Sequence, residues 1–248
     1  MKKAVIITGA GSGIGEATCL EFAKNGYFIF LLGRRIEALQ KVLSHFPNQG
    51  LALACDLKSL ASVRSTVQAI LNQADIQVTT LVNNAGVFVR KDFEESSDDL
   101  WIDQFDTNLF GAVRITREVY PFFKKQKSGS IINVSSTLGL SPSSGVSAYS
   151  ASKAAMVNWT QTLALEGGPF GIRANCVCPG IVDTPIHAFH SLDKKEKSLA
   201  LTRMQELQPL QRIGTSSEVA ASIFFLGSEA SAWTTGAVLS VDGGINLL

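Results

Sequence analysis

Tyr149 and Lys153 stand four residues apart in the run Tyr149-Ser150-Ala151-Ser152-Lys153, with Ser136 upstream and a glycine-rich stretch, Thr8 to Gly15, near the N-terminus. On a helix this spacing puts both side chains on one face about a turn apart, where an ammonium can act on a phenol. A free phenol has a pKa of about 10 and is a sluggish proton donor at neutral pH, but a nearby positive charge favours the phenolate and lowers that value. The pair is therefore a way of making tyrosine an acid–base group. Alone it is also what an amphipathic helix shows when an aromatic at the core edge sits beside a solvated lysine. Its companions carry the argument: Asn83-Asn84-Ala85-Gly86, Asn108, Ser136 and Pro179-Gly180 follow the glycines in order along the chain.

These residues need a scaffold that brings distant segments to one edge. Short apolar runs at Ala4 to Ile7, Tyr27 to Leu32, Leu51 to Ala54, Thr80 to Val82, Ser130 to Val134, Ile172 to Val177 and Val238 to Val241 read as strands, and the longer periodic segments between them as helices. Such alternation predicts a single-domain, doubly wound α/β sheet, mainly parallel, with helices on both faces. The first helix begins after the glycine turn and stops at Asn25-Gly26, a C-cap signal. A glycine turn between strand and helix lets backbone amides approach a pyrophosphate at a helix N-terminus, and Gly9, Gly13 and Gly15 suit those roles. No Gly-Lys-Ser/Thr closes the motif, so a nucleoside-triphosphate loop is not indicated.

The bulk properties agree with one ample core. Of 248 residues, 46% are hydrophobic and 17% charged, and a formal net charge of +1 offers no field for phosphate backbones or anionic lipid. The apolar run after Lys2-Lys3 ends at Thr8-Gly9, too short for a signal peptide, and the expected location is the cytoplasm. Cys19, Cys55, Cys176 and Cys178 lack zinc-site spacing and read as small buried thiols. No metal is expected, His187 and His190 near Asp183 included. Asp183 to Leu210 is the least regular stretch. It follows the strand ending at Pro179-Gly180, which puts its apolar residues at the ligand-binding edge of such a sheet.

Taken together, the motifs from Lys3 to about Gly244 resemble the short-chain dehydrogenase/reductase family. The resemblance implies a dinucleotide on the loop of Gly9, Ser12, Gly13, Ile14 and Gly15, with Asp56 and Leu57 bordering the adenine. It also implies Asn83, Ala85 and Gly86 on the adenosine side, and Pro179, Gly180, Val182 and Thr184 at the nicotinamide end. Gly33 stands where NAD-preferring members carry an acid, and Arg34 matches the position that pairs a 2′-phosphate, with Arg35 assisting. Ser12 occupies a place that is basic in many NADP-preferring members. NADP(H) is the expected cofactor, with NAD(H) left open.

The same resemblance assigns Tyr149 as proton donor or acceptor, Ser136 as the partner of the substrate oxygen, Lys153 to the phenol and the nicotinamide ribose, and Asn108 to a helix kink and a water relay. Both Tyr149 and Lys153 would thus also border the cofactor. It implies a substrate lid at about 183–210 and a homo-oligomer, tetramer or dimer, since the helix over Ala151 to Leu165 is apolar on more than one face. The expected substrate is a small carbonyl compound or alcohol, with neither nucleic acid nor membrane as partner. Its walls are Leu138, Val87, Phe88, Val146, Ile181, His187 and Phe189, a mostly apolar set suited to a substrate without strong charge. A 3-oxoacyl-carrier-protein reductase is an alternative, although Phe170 replaces one of its two docking arginines while Lys127 keeps a basic residue at the other position. A catalytically idle dinucleotide sensor or scaffold is the other alternative, and it would have no chemical reason to keep the four polar residues.

Overall fold

The computed structural model describes residues 1–187 and 194–248. Seven strands form one parallel sheet: β1 (Lys2–Thr8), β2 (Phe28–Gly33), β3 (Gly50–Ala54), β4 (Ile76–Asn83), β5 (Gly129–Val134), β6 (Ile172–Pro179) and β7 (Val238–Val241), in the order β3-β2-β1-β4-β5-β6-β7. Each strand expected from the sequence is present. The main difference is length: β4 starts four residues before Thr80, because Gln77, too polar to read as strand, pairs with Lys3 at the sheet's amino end, and Thr79 is skipped where the register with β1 shifts.

The parity of side chains along β1 shows why the sheet must be covered on both sides. Val5 and Ile7 join Ile29 and Leu31 in a core with Phe22, Leu39, Val42 and Ile223, from helices α1 (Gly13–Lys24), α2 (Ile36–Leu43) and, later in the chain, α8 (Ser216–Gly227). Ala4 and Ile6 join Phe30 and Leu32 in a second core with Val63, Ile115, Phe123 and Leu163. Those four come from α3 (Leu60–Leu71), α5 (Gly111–Gln126) and α6 (Ser147–Gly167). Consecutive residues therefore feed opposite layers, and an apolar run buried on both faces is the result.

Two connections bear on function. Helix α4 (Asp98–Phe105) runs into α5 through a π-helical turn at Asp106–Phe110, with Asn108 fully buried inside it. The stretch expected to be irregular contains a helix, α7 (Lys194–Glu206). The predicted wall residue Phe189 lies outside the described residues, as does the side chain of His187. Among the described residues no helix is long and apolar enough to cross a membrane. All four cysteines are free and buried, as their surroundings in apolar runs suggested.

Candidate active site

The strand order reverses at β1, whose neighbours are β2 and β4, so a crevice opens beyond the carboxyl ends of the strands. A cleft of about 890 Å3 occupies that edge. Its floor is the turn after β1, where Gly9 and Gly13 adopt left-handed φ of 65° and 57°. A Cβ on Gly9 would lie 2.9 Å from the Ala85 Cα, and one on Gly15 would lie 2.2 Å from the Gly9 carbonyl oxygen, so neither position tolerates a side chain. Gly15 does not line the cleft; it lets α1 approach the turn closely. Ser12, at the head of α1, makes no capping hydrogen bond, which leaves the helix's first-turn amides without a side-chain partner beside the cleft. An anionic diphosphate fits this chemistry. Bare Gly13 also lets Thr184 and Pro185 pack over the loop, 3.3 Å and 3.5 Å from where its Cβ would stand.

Most of the expected dinucleotide-contacting residues line this cleft: Gly9, Ser12, Gly13, Ile14, Arg34, Arg35, Asp56, Leu57, Ala85, Gly86, Pro179, Gly180, Val182 and Thr184. Arg34 and Arg35 are exposed and form no ion pair among the described residues. Asn83 departs from expectation. Its side chain is buried and donates to Thr116 Oγ1 at 2.9 Å and Asn133 Oδ1 at 2.8 Å, so it ties β4 to β5 and α5 instead of facing the cleft. Asn84 lines the cleft in its place, and its side chain donates to the carbonyls of Thr8 and Gly9.

At the other end Ser136, Tyr149 and Lys153 converge with Asn108 close behind. The Lys153 ammonium donates to the Val134 carbonyl at 2.9 Å and lies 5.8 Å from the centre of the Tyr149 ring. Ser136 lies beside the Tyr149 phenol closely enough to favour its charged form, and Phe88 packs edge-on against the tyrosine ring with 4.9 Å between centroids. Asn108 accepts from the Val87 amide at 2.7 Å and donates to the Val87 carbonyl at 3.0 Å and to Ser152 Oγ at 3.2 Å. Asn108 Oδ1 and Lys153 Nζ both abut bare Gly86, 3.3 Å and 3.5 Å from its would-be Cβ. The glycine thus leaves a small space between them.

The electrostatics correct one expectation. Burial pushes the phenol of Tyr149 up to about 12, against the lowering effect of the neighbouring Ser136. Burial also pulls the Lys153 amine down to about 8, partly offset by the neighbouring thiols Cys176 and Cys178. The tyrosine is therefore held protonated at neutral pH rather than driven toward the phenolate, because a dry site penalises both charged forms.

Sequence reasoning missed three features of this end. Gly139 would put a Cβ 2.7 Å from the Lys153 backbone carbon, so its bareness lets the turn after Ser136 rest on α6. A glycine three residues past a strand-ending serine pair was the available signal. Arg90 and Ser143 line the cleft beside the expected Val87, Phe88, Leu138, Val146 and Ile181, and their exposure in loops gave no periodicity to read.

Comparisons with known proteins agree with this geometry. A family model described as short chain dehydrogenase matches residues 3–195. The 3-oxoacyl-[acyl-carrier-protein] reductase FabG of Thermotoga maritima is 34% identical over 246 residues, covering 98% of this chain and 97% of that protein. Oxidoreductase UcpA of Escherichia coli is 34% identical over 250 residues, 99% of this chain and 95% of its own. Among solved structures, ElxO with NADP bound superposes with a TM-score of 0.92 at 29% identity, over the whole of both chains. An actinorhodin polyketide ketoreductase variant with NADPH gives 0.93 at 31% identity, covering 100% of this chain and 98% of the other.

Proposed function

This chain belongs to the short-chain dehydrogenase/reductase family and is an NAD(P)-dependent oxidoreductase; from that premise we propose that it interconverts a ketone or aldehyde and its alcohol with NADP(H), using Tyr149 as the proton donor and acceptor. The observation that carries the reading is the convergence of Ser136, Tyr149 and Lys153 at the end of a cleft whose opposite end is the glycine turn. When bound, the nicotinamide supplies or accepts the hydride.

The protein's own residues handle the proton and the oxygen. With its phenol raised to about 12, Tyr149 holds the proton that a carbonyl oxygen must gain. Ser136, beside that phenol, directs the oxygen and shares its developing charge. Lys153 spends one N–H on the Val134 carbonyl and keeps two for ribose hydroxyls, while its charge favours the phenolate left after transfer. Asn108, locked to Val87 in the π-helical turn, holds the far side of the space beside Gly86 where water can pass a proton to the lysine.

Arg34 and Arg35 are the residues for a 2′-phosphate, since both line the cleft without a carboxylate partner among the described residues and Gly33 offers no acid. Relatives of known structure with NADP or NADPH support this choice. We take 183–210 as the cover of the substrate end, Met204 and Leu207 being among its cleft-lining residues, and the cytoplasm as its location. We further take a homo-oligomer as the working state: Leu165 on α6 is 79% exposed, and Ile102 on α4 65%. Cofactor titrations with NADPH and NADH, followed by NADPH oxidation across a varied carbonyl panel, test the proposal. Tighter binding of NADH, or no oxidation with any carbonyl, would overturn it.

A further inference from the structure

The stretch after β4 is held by every second residue. Val87 is bonded through both its amide and carbonyl to Asn108, the Val89 amide donates to Gln104 at 3.4 Å, and the Lys91 amide donates to the Gly145 carbonyl at 2.8 Å. Val87, Phe88 and Arg90 line the cleft, whereas Val89 and Lys91 do not, and Phe88 rests on the Tyr149 ring.

Arg90 is also placed deliberately by its surroundings. Its stem crosses Gly145, which has a left-handed φ of 75°, and a Cβ there would lie 3.2 Å from Arg90 Nε. Lys58, Lys91, Arg64, Arg114 and Arg212 each pair with a carboxylate. Arg90 pairs with none among the described residues, although an Asp92 carboxylate oxygen lies on the same side of Gly145, 3.5 Å from where its Cβ would stand. The remaining charged residues of the cleft are Lys153 and a group at the β2 and β3 ends: Arg34, Arg35, Asp56 and Lys58. Ser143 also lines the cleft.

We propose that Arg90 is the specificity residue of this site and that the substrate is an oxo acid, whose carboxylate Arg90 receives while the carbonyl meets Tyr149. This rests on the dehydrogenase reading above and replaces the expectation of an uncharged substrate. A guanidinium fork matches the two oxygens of a carboxylate, whereas a phosphate dianion would call for more donors than one arginine and one hydroxyl supply.

The test uses levulinate and its two next longer homologues, each beside its methyl ester, with NADPH as reductant. The expected result is a kcat/KM preference for at least one acid over its ester that falls about 30-fold in Arg90→Ala, mainly through KM, and is partly restored in Arg90→Lys. Lys91→Ala, a nearby cation outside the cleft, should leave the ratio alone. Calorimetric binding of the same acids to the NADP-loaded protein supplies a readout independent of turnover, and the acid should bind less tightly to Arg90→Ala. Esters reduced as well as acids, an acid-to-ester ratio unmoved by Arg90→Ala, or a stronger preference for an oxo-alkyl phosphate would overturn the proposal while leaving the dehydrogenase reading standing. If neither acid nor ester turns over, equal calorimetric affinity of wild type and Arg90→Ala overturns it as well; failure of the dehydrogenase reading would show separately, as no oxidation of NADPH by any carbonyl.

Discussion

The two ends of the cleft are built on opposite principles. At the Tyr149 end the polar groups are buried and held by partners from several elements: Lys153 by β5, Asn108 by the chain after β4, and Ser136 by the Leu138 amide. At the β2 end Arg34 and Arg35 stand in solvent with no charged partner among the described residues. Burial changes what a group is: it moves the phenol to about 12 and the amine to about 8. Exposure leaves a group as it is in water, so its contribution is charge alone, screened by salt. The first arrangement suits the reacting atoms, where proton affinity must be set. The second suits the choice between cofactors that differ by one phosphate.

The sharpest way to break this contrast is at the buried end. Tyr149→Phe keeps the ring against Phe88 and removes one hydroxyl, so turnover should fall by about 10² to 10⁴ while NADPH affinity is retained. Parent-level turnover by that variant would end the proposed mechanism. At the exposed end the effect should be smaller and confined to binding. Arg34→Ile combined with Gly33→Asp should weaken NADPH by about 10- to 100-fold and strengthen NADH, as read by titration of both cofactors. The aspartate must displace Leu39, whose Cδ2 would lie 3.3 Å from the new Cβ, so Arg34→Ile alone is the cleaner comparison.

A pH profile sharpens the contrast further. Lys153, lowered to about 8, carries its charge below that pH and loses it above, whereas Tyr149 keeps its proton until about 12. Reduction, measured as kcat/KM, should therefore hold below pH 8 and decline as pH rises through it. A profile flat to pH 10 would remove the lysine's charge from the mechanism. The same depressed value bears on stability with a definite sign. Between about 8 and 10.5 the unfolded chain holds the lysine proton and the folded one does not, so this residue's contribution to stability rises with pH there.

The smallest effect belongs outside both ends. Thr215 and Glu218 form a reciprocal cap at the start of α8, and Arg212 pairs with the same carboxylate. Thr215→Ala should lower unfolding free energy by about 1 kcal/mol in denaturant titration and leave cofactor preference unaltered. A change in preference would mean that the β2 end is not governed by local charge alone.

Much of this was legible in the residues themselves. Strands announced themselves as apolar runs because the central strands of a sheet covered on both faces bury nearly every side chain. The glycine turn was readable because glycine alone combines ease at a φ of 65° with room for a neighbour 2.2 Å from its would-be Cβ. Tyr149, Lys153, Ser136 and Asn108 were read as types at characteristic places, and the structure brings the first three to one end of one cleft with Asn108 buried behind them. Asn83 was misread because its neighbour Asn84 is chemically identical in sequence; only the pairing of Asn83 with Asn133 across β4 and β5 decides which one turns inward. The direction of the phenol's shift was misread for a related reason. Spacing tells which charge is near, but proton affinity also depends on how much water has been removed, and that is a property of the packed layers around Tyr149. Arg90 completes the same lesson. Its charge is written in the chain, but whether it meets a carboxylate, the solvent or the cleft depends on the alternate tethering of residues 87, 89 and 91 to segments far away in sequence. Local chemistry thus follows from residue type, whereas partnership and desolvation are set only when the chain folds.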